Sequence, residues 1–232
     1  EVIKVETPSP NHGPRMTCWY GMDVNQGKQS LLIDLKTKQG QQVINKLLSR
    51  ADILISNQPE SAMTAFNLSE ARIRRDFPKL IYSRLGAYNG PKTGPWSNVN
   101  GYDPVLQAAS GIMVRFGSRA RPELHAIASC VDALTGYSAM LGTALALYRK
   151  DNLKDGSTVN TSLSAAATLI QLPYCHGEDD SLTQVDGQLL KGEHTLYRLY
   201  KTKENWVFVA GNLNQLGAVM AHFSIKVNRV AN

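Results

Sequence analysis

The chain has few cysteines for its length. Three occur among 232 residues, Cys18, Cys130 and Cys175. An odd number of cysteines this far apart matches neither the paired spacing of a zinc site nor the framework of a disulfide-stabilised secreted domain. We therefore expect no metal site and no structural disulfide, and we expect a reducing compartment such as the cytoplasm.

Other absences limit the classes of function. No apolar run looks long enough to cross a bilayer, so we expect no membrane partner. The glycine-rich motifs GxGxxG and GxxxxGK, which hold nucleotide phosphates, do not occur. The net charge is +6, but the cations are dispersed, and the densest group, Arg72, Arg74 and Arg75, has no interleaved aromatic residue. Such a group is typical of a solvated helix face, and we expect no nucleic-acid partner.

Strand and helix signals alternate along most of the chain. Predicted strands lie at residues 2–5, 31–35, 52–56, 80–83 and 158–161, and predicted helices at 38–50, 69–77, 102–110, 132–150 and 163–171. This alternation favours a parallel sheet with helical crossovers. The predicted fold class is therefore α/β, a Rossmann-like parallel sheet with flanking helices.

The last part of the chain has a different pattern. Residues 196–200 and 207–210 flank the segment KTKENW at 201–206, which predicts a β-hairpin, and residues 213–223 predict an amphipathic helix. We expect a large α/β domain over residues 1–175, and a linker with the beginning of a smaller α+β domain over residues 176–232. Both ends have the appearance of cuts within a longer protein.

The helix predicted from Asp132 to about Lys150 begins with an acidic residue. Its apolar residues share one helical face, at Leu134, Leu141, Leu145 and Tyr148. Free amides and the helix dipole at a helix start favour a negative charge. Two interpretations of Asp132 stay open. It caps the helix, as aspartates often do, or it is an ionised carboxylate that attacks a carbonyl and forms a covalent acyl intermediate.

Several short motifs occur in the order seen in one enzyme family. They are EVIKVE at residues 1–6, NQGKQS and LLIDLK at 25–36, ADILI at 51–55, PKLIY at 78–82, YDPVLQAASG at 102–111, Asp132 with Thr135-Gly136, and TVNTSL at 158–163. Each block is short, and their order along nearly the whole chain carries the resemblance. The chain resembles the class III CoA-transferases, the group that contains formyl-CoA transferase and carnitine CoA-transferase.

The resemblance implies a reaction. Members of this family transfer CoA between carboxylic acids, and their catalytic aspartate falls on Asp132. The resemblance implies that Asp132 attacks an acyl-CoA thioester to form an aspartyl anhydride, that CoA then forms an aspartyl thioester, and that an acceptor acid takes the CoA. It implies acyl-CoA and carboxylic acid as substrates, no cofactor beyond CoA, and an interlocked homodimer.

The resemblance also points to binding residues. Lys28 and Arg15 are candidate ligands of the CoA phosphates, and an exposed cation without a ligand is an equal alternative for each. Tyr88 falls where the family has an aromatic residue near the CoA tail or the acyl group, and a loop aromatic that packs on the sheet is its alternative. Tyr102 and Gln107 are further candidates for substrate or CoA binding, with packing within its own helix as the alternative for Gln107.

Two other functions stay open. Arginines common in the family are replaced by Thr7 and near Met63-Thr64, which favours a CoA-binding or assembly module without turnover. The related α-methylacyl-CoA racemases use a histidine where this chain has Tyr102. Because tyrosine ionises only near pH 10 or so, it is a poor base at neutral pH, and the racemase hypothesis ranks below the transferase.

Overall fold

The computed structural model describes residues 1–8, 24–88, 94–97, 99–125, 129–153, 155–174, 187 and 191–223. The chain divides into two compact units. The first consists of Glu1–Asp103 and Val131–Ala166, and the second of Pro104–Cys130 and Ala167–Asn232. The boundary expected between residues 175 and 176 lies outside the described residues and stays a prediction.

Two parallel sheets form the first unit. Strand β1 (Ile3–Glu6) pairs with β2 (Gln29–Leu32). Strands β3 (Ile53–Ser56), β4 (Ile81–Gly86) and β5 (Thr158–Ser162) form the second sheet in the order β3-β4-β5. All three pairings are parallel, which confirms the α/β class and the parallel sheet.

Helices follow or connect these strands. In the described part of the chain they are α1 (Lys38–Leu48), α2 (Glu60–Ala65), α3 (Glu70–Asp76), α4 (Asp103–Ala109), α5 (Ile112–Phe116), α6 (Cys130–Leu153), α7 (Leu163–Gln171) and α8 (Leu216–His222). The boundaries follow local chemistry. Thr37 caps α1 by accepting a hydrogen bond from the Gly40 amide at 3.0 Å, for example, and Gly111, with φ of 81°, separates α4 from α5.

The structure corrects some of these expectations. Strand β2 ends at Leu32 and not at Leu35, because Asp34 begins a turn in which its side chain accepts from the Lys36 amide. Helices α2 and α5 were not expected. Both are short, at six and five residues, and too brief to show a helical period in the sequence.

The main core of the first unit lies between helices and strands. Ile44 and Leu48 of α1 and Tyr82 of β4 belong to one buried cluster, against which Val5 of β1 and Leu54 of β3 pack. The other buried members are Met63, Leu68, Ile73 and Leu80. Both sheets therefore contact the same cluster, which fixes them in one unit.

Helix α6 presents small side chains to the first unit's interior. Its buried residues recur every three or four positions, at Val131, Thr135, Ala139, Thr143 and Ala146. The Thr143 hydroxyl donates to the Ser83 hydroxyl of β4 at 3.0 Å. Gly142 lies so close to β5 that a Cβ atom there would stand 2.7 Å from Cγ1 of Val159. Small residues thus allow this helix to approach the sheet closely.

The apolar face expected from the spacing of this helix is on the outside. Leu141 and Leu145 are each 61% exposed, and Tyr148 is 74% exposed. The sequence predicted that no apolar run could cross a bilayer. By length and composition this prediction is wrong, since Cys130–Lys150 is long and apolar enough. A core helix of a soluble protein passes the same test, and α6 packs on a sheet through its other face.

The second unit contains a small antiparallel sheet. Strands β6 (Gly192–His194), β7 (Tyr197–Lys201) and β8 (Trp206–Ala210) pair in that order, which confirms the expected hairpin. The Tyr197 and Phe208 rings meet edge to face, with centroids 5.1 Å apart. A 3₁₀ turn, Leu213–Gln215, leads into α8 where one continuous helix was expected.

Two glycines of α6 test the close approach of this helix to β5. Gly142→Ala places a methyl group against the stiff Val159 side chain, and we expect a loss of about 1–3 kcal/mol in the free energy of unfolding. Gly136→Ala is the matched control, because a Cβ atom there meets nothing within 4 Å. It should gain roughly 0.5–1 kcal/mol from helix propensity. Urea unfolding measures both, and equal effects of the two substitutions would contradict the packing described.

Candidate active site

The start of helix α6 is held by a side chain that is distant in sequence. Oδ2 of Asp103 accepts hydrogen bonds from the backbone amides of Val131, at 2.8 Å, and of Asp132, at 3.0 Å. Asp103 is only 4% exposed and is also the first residue of α4. The first amides of a helix have no partner within the helix. Asp103 supplies that partner for two of them.

The backbone turns sharply just before this helix. Ser129 has φ of 40°, in the left-handed region that residues other than glycine rarely adopt. From the second turn, the Thr135 hydroxyl donates back to the Val131 carbonyl in the first turn, at 2.7 Å. The helix start is therefore a constrained structure, and Asp132 is the acidic residue of its first turn, as expected.

The capping interpretation of Asp132 does not fit these contacts. The helix begins at Cys130, so Asp132 lies inside its first turn and not at the capping position before it. The amides of Val131 and of Asp132 itself are bound by Asp103. In the described part of the chain, no recorded hydrogen bond or ion pair reaches the Asp132 carboxylate, although the residue is exposed. The helix start thus carries two carboxyl groups with different surroundings. Asp103 is buried and caps the helix, whereas the Asp132 side chain is available to a ligand.

The pKa of Asp132 is raised above its ordinary value of 3.8. Partial burial is the larger cause, because it disfavours the charged form, and the negative charge of Asp103 is the second. This direction opposes the expectation that the helix start would favour the ionised form. A carboxyl group with a raised pKa is more basic, which makes its ionised form a better nucleophile.

An apolar cavity lies along α6 beyond Asp132. It is a groove open to solvent, with a volume of about 480 Å³, and it begins at Gly136, one helical turn after Asp132. Residues of β3, β4 and α6 line it, and all except Thr143 are apolar or glycine, among them Ile53, Leu85 and Met140. This lining suits hydrocarbon and supplies no charged group for a phosphate.

The candidate binding residues of the first unit lie in separate places. Lys28 is exposed, with Nζ 3.5 Å from Oδ1 of Asn25. The Tyr88 ring packs edge to face on Trp96, with centroids 5.3 Å apart. Tyr102 precedes Asp103 and is 68% exposed. Arg15 lies outside the described residues. No contact recorded among the described residues brings Lys28, Tyr88 or Tyr102 to Asp132, so their roles stay predictions.

Gln107 is used within the second unit. Its side chain is fully buried, Nε2 donates to the His125 carbonyl and Oε1 accepts from the His125 amide, each at 3.0 Å. This paired contact favours the packing alternative, and ligand binding by Gln107 stays a prediction. Within the described residues, no group of three or more histidine, cysteine or acidic side chains could hold a metal ion.

Asp103 is the site residue that sequence reasoning missed. In the sequence it is the second residue of the YDPVLQAASG motif at residues 102–111. An aspartate at the start of a predicted helix is a signal for capping that helix, and no local pattern indicates that it caps a second helix 28 residues further on.

Comparison with known proteins identifies the family to which the chain belongs. The profile of CoA-transferase family III matches residues 1–223. CoA-transferase/lyase DddD of Marinomonas sp. (strain MWYL1) is 32% identical over 223 residues, covering 95% of this chain and 27% of that protein. Formyl-CoA:oxalate CoA-transferase of Streptomyces avermitilis is 28% identical over 173 residues, covering 72% of this chain and 42% of that protein.

A solved structure shares the fold. Rv3272 from Mycobacterium tuberculosis, in its orthorhombic crystal form, has a TM-score of 0.78 at 21% identity, covering 97% of this chain and 60% of that chain. The chain therefore spans less than two thirds of the length of each of these relatives.

Removal of the Asp132 charge tests the raised pKa. Because the pKa of Asp132 is raised in the folded state, the folded protein binds this proton more tightly than the unfolded chain does. The free energy of unfolding therefore falls as pH rises through the range just above 3.8. We expect Asp132→Asn to be more stable than the wild type at pH 7, and this advantage to vanish near pH 3, by urea unfolding. Asp155→Asn, at an exposed position, is the control. Lower stability of Asp132→Asn at pH 7 would contradict the sign of the shift.

Proposed function

Because the chain belongs to CoA-transferase family III, we propose that it transfers CoA between an acyl-CoA thioester and a carboxylic acid, with Asp132 as the covalent nucleophile. The observation that carries the proposal is the availability of the Asp132 carboxylate. Asp132 lies in the first turn of α6, and another residue, Asp103, caps that helix. Among the described contacts, the Asp132 carboxylate therefore makes none that stabilises the fold.

The reaction proceeds through four displacements at carbonyl carbon. The Asp132 carboxylate attacks the thioester, forming an aspartyl anhydride and releasing CoA thiolate. The thiolate attacks the aspartyl carbonyl, giving an aspartyl-CoA thioester and the free donor acid. The acceptor carboxylate attacks this thioester, forming a second anhydride and releasing CoA thiolate again. The thiolate then attacks the acceptor carbonyl, which yields the new acyl-CoA and restores the Asp132 carboxylate.

The surroundings of Asp132 support its role as a nucleophile. Asp132 is an exposed residue whose carboxyl group is only partly buried, so a substrate can reach it. The partial loss of hydration raises its pKa and thereby increases its basicity as a nucleophile. Attachment to the first turn of α6 restricts the directions from which it can attack. The apolar cavity along the same helix could receive the hydrocarbon part of an acyl group.

Other parts of the proposal depend on the family resemblance. Lys28 and Arg15 remain candidates for the CoA phosphates, since cations bind phosphate by charge-assisted hydrogen bonds. Tyr88 and Tyr102 remain candidates for the acyl group or the CoA tail. We also propose a homodimer and a cytoplasmic location, the latter because cysteines are few.

Covalent labelling tests the role of Asp132. The protein is mixed with a panel of acyl-CoAs and trapped with hydroxylamine or borohydride, and intact mass and peptide mapping are recorded. We expect a modification on Asp132, and we expect Asp132→Ala to lower CoA transfer by roughly three orders of magnitude or more. Asp155→Asn is the matched control and should keep normal turnover.

The outcomes separate the alternatives. Retained turnover in Asp132→Ala would contradict the proposal. CoA binding without label or turnover would favour a binding module. Exchange of the α-proton with deuterium, without CoA transfer, would favour the racemase.

A further inference from the structure

Asp103 holds the backbone of the proposed nucleophile itself. One of its two amide contacts is to the Asp132 nitrogen, which is bonded directly to the Cα atom that carries the reactive carboxylate. The second is to Val131, the preceding residue, which is fully buried. A single oxygen atom therefore fixes two consecutive peptide units at the point where the nucleophile is attached.

We infer that Asp103 is a positioning residue, whose carboxylate sets the place and direction of the Asp132 side chain through the first turn of α6. The inference rests on the proposed function of Asp132 and deepens it. Asp103 itself need not touch substrate, and its effect passes through the backbone. Misplacement of a reacting group by about 1 Å can lower a rate roughly 100-fold. Loss of the Asp103 contact would therefore have a measurable effect on the rate if it moved Asp132 by that distance.

A purely structural cap provides the contrast. Thr37 caps α1 from three positions before the Gly40 amide that it contacts. Asp103 reaches α6 from 28 positions away, is buried and carries a charge. Because an asparagine side-chain oxygen can accept the same two hydrogen bonds, capping alone does not require the charge.

The charge of Asp103 has a consequence of its own. Within the described residues, Asp103 is the charged side chain that acts on the Asp132 carboxyl, and it favours the protonated form. The hydrogen bonds orient the nucleophile, while the charge raises its basicity. Substitutions at Asp103 can separate these two effects.

Two substitutions make the separation. Asp103→Asn retains the acceptor oxygen and removes the charge. We expect a folded protein in which the Val131 and Asp132 amides stay protected from hydrogen exchange. We also expect a lower pKa of Asp132 and an acid limb of the rate profile shifted to lower pH. Asp103→Ala removes both, and we expect kcat to fall roughly 10- to 100-fold while KM changes less than about twofold. Titration of ¹³C-labelled aspartate by NMR measures the Asp132 pKa without substrate.

Thr37→Ala is the matched control, because it removes a helix cap in the same unit. We expect it to lower the thermal midpoint without lowering kcat. If Asp103→Ala does not fold, Asp103→Glu decides the positioning role, because it keeps an acceptor and the charge but moves the oxygen by one methylene group, and kcat should fall. Turnover of Asp103→Ala or Asp103→Glu within twofold of the wild type would overturn the positioning role. An Asp132 pKa unchanged in Asp103→Asn would overturn the effect of the charge. Since the NMR readouts need no turnover, they test Asp103 even if the protein proves not to be a transferase.

Discussion

Helix α6 lies close to β4 and β5 because the residues between them are small. Thr135, Ala139 and Ala146 face inward, and Gly142 has no side chain to hold the helix away from Val159. The hydroxyl bond between Thr143 and Ser83 satisfies two buried polar groups at this contact. The position of the helix determines where its first turn begins, and hence where Asp132 stands relative to the sheet.

Aspartates that are distant in sequence bind both ends of this helix. At its beginning, Asp103 accepts from two backbone amides. Towards its end, the Lys150 ammonium donates to Asp52, just before β3, at 2.8 Å, and this hydrogen bond lowers the pKa of Asp52. The second contact is exposed and contributes little to stability, whereas the first is buried. The end of the helix that carries Asp132 is therefore the more firmly held.

Sequence reasoning identified the strands that form the parallel sheets, because β-branched and apolar runs bounded by turns are local signals. It also placed Asp132 in a first helical turn, and it found the hairpin of the second unit from its polar turn. The burial of α6 was not predictable in the same way. Spacing identified the face with Leu141 and Leu145, but the face that packs on the sheet consists of alanine, threonine and glycine, which carry little hydrophobic signal. The Asp103 contact joins a side chain to backbone amides across many residues, and no local pattern records it.

The contact between Asp103 and the start of α6 constrains the residue type at one of its two ends only. Its donors are backbone amides, which every residue except proline supplies. The contact therefore restricts position 103 to short side chains with an acceptor atom. It places no requirement on the side chain at position 131. Substitutions at the two positions therefore need not accompany one another during evolution. A search for correlated pairs of residues would overlook this connection, even though it links two distant parts of the chain at the candidate nucleophile.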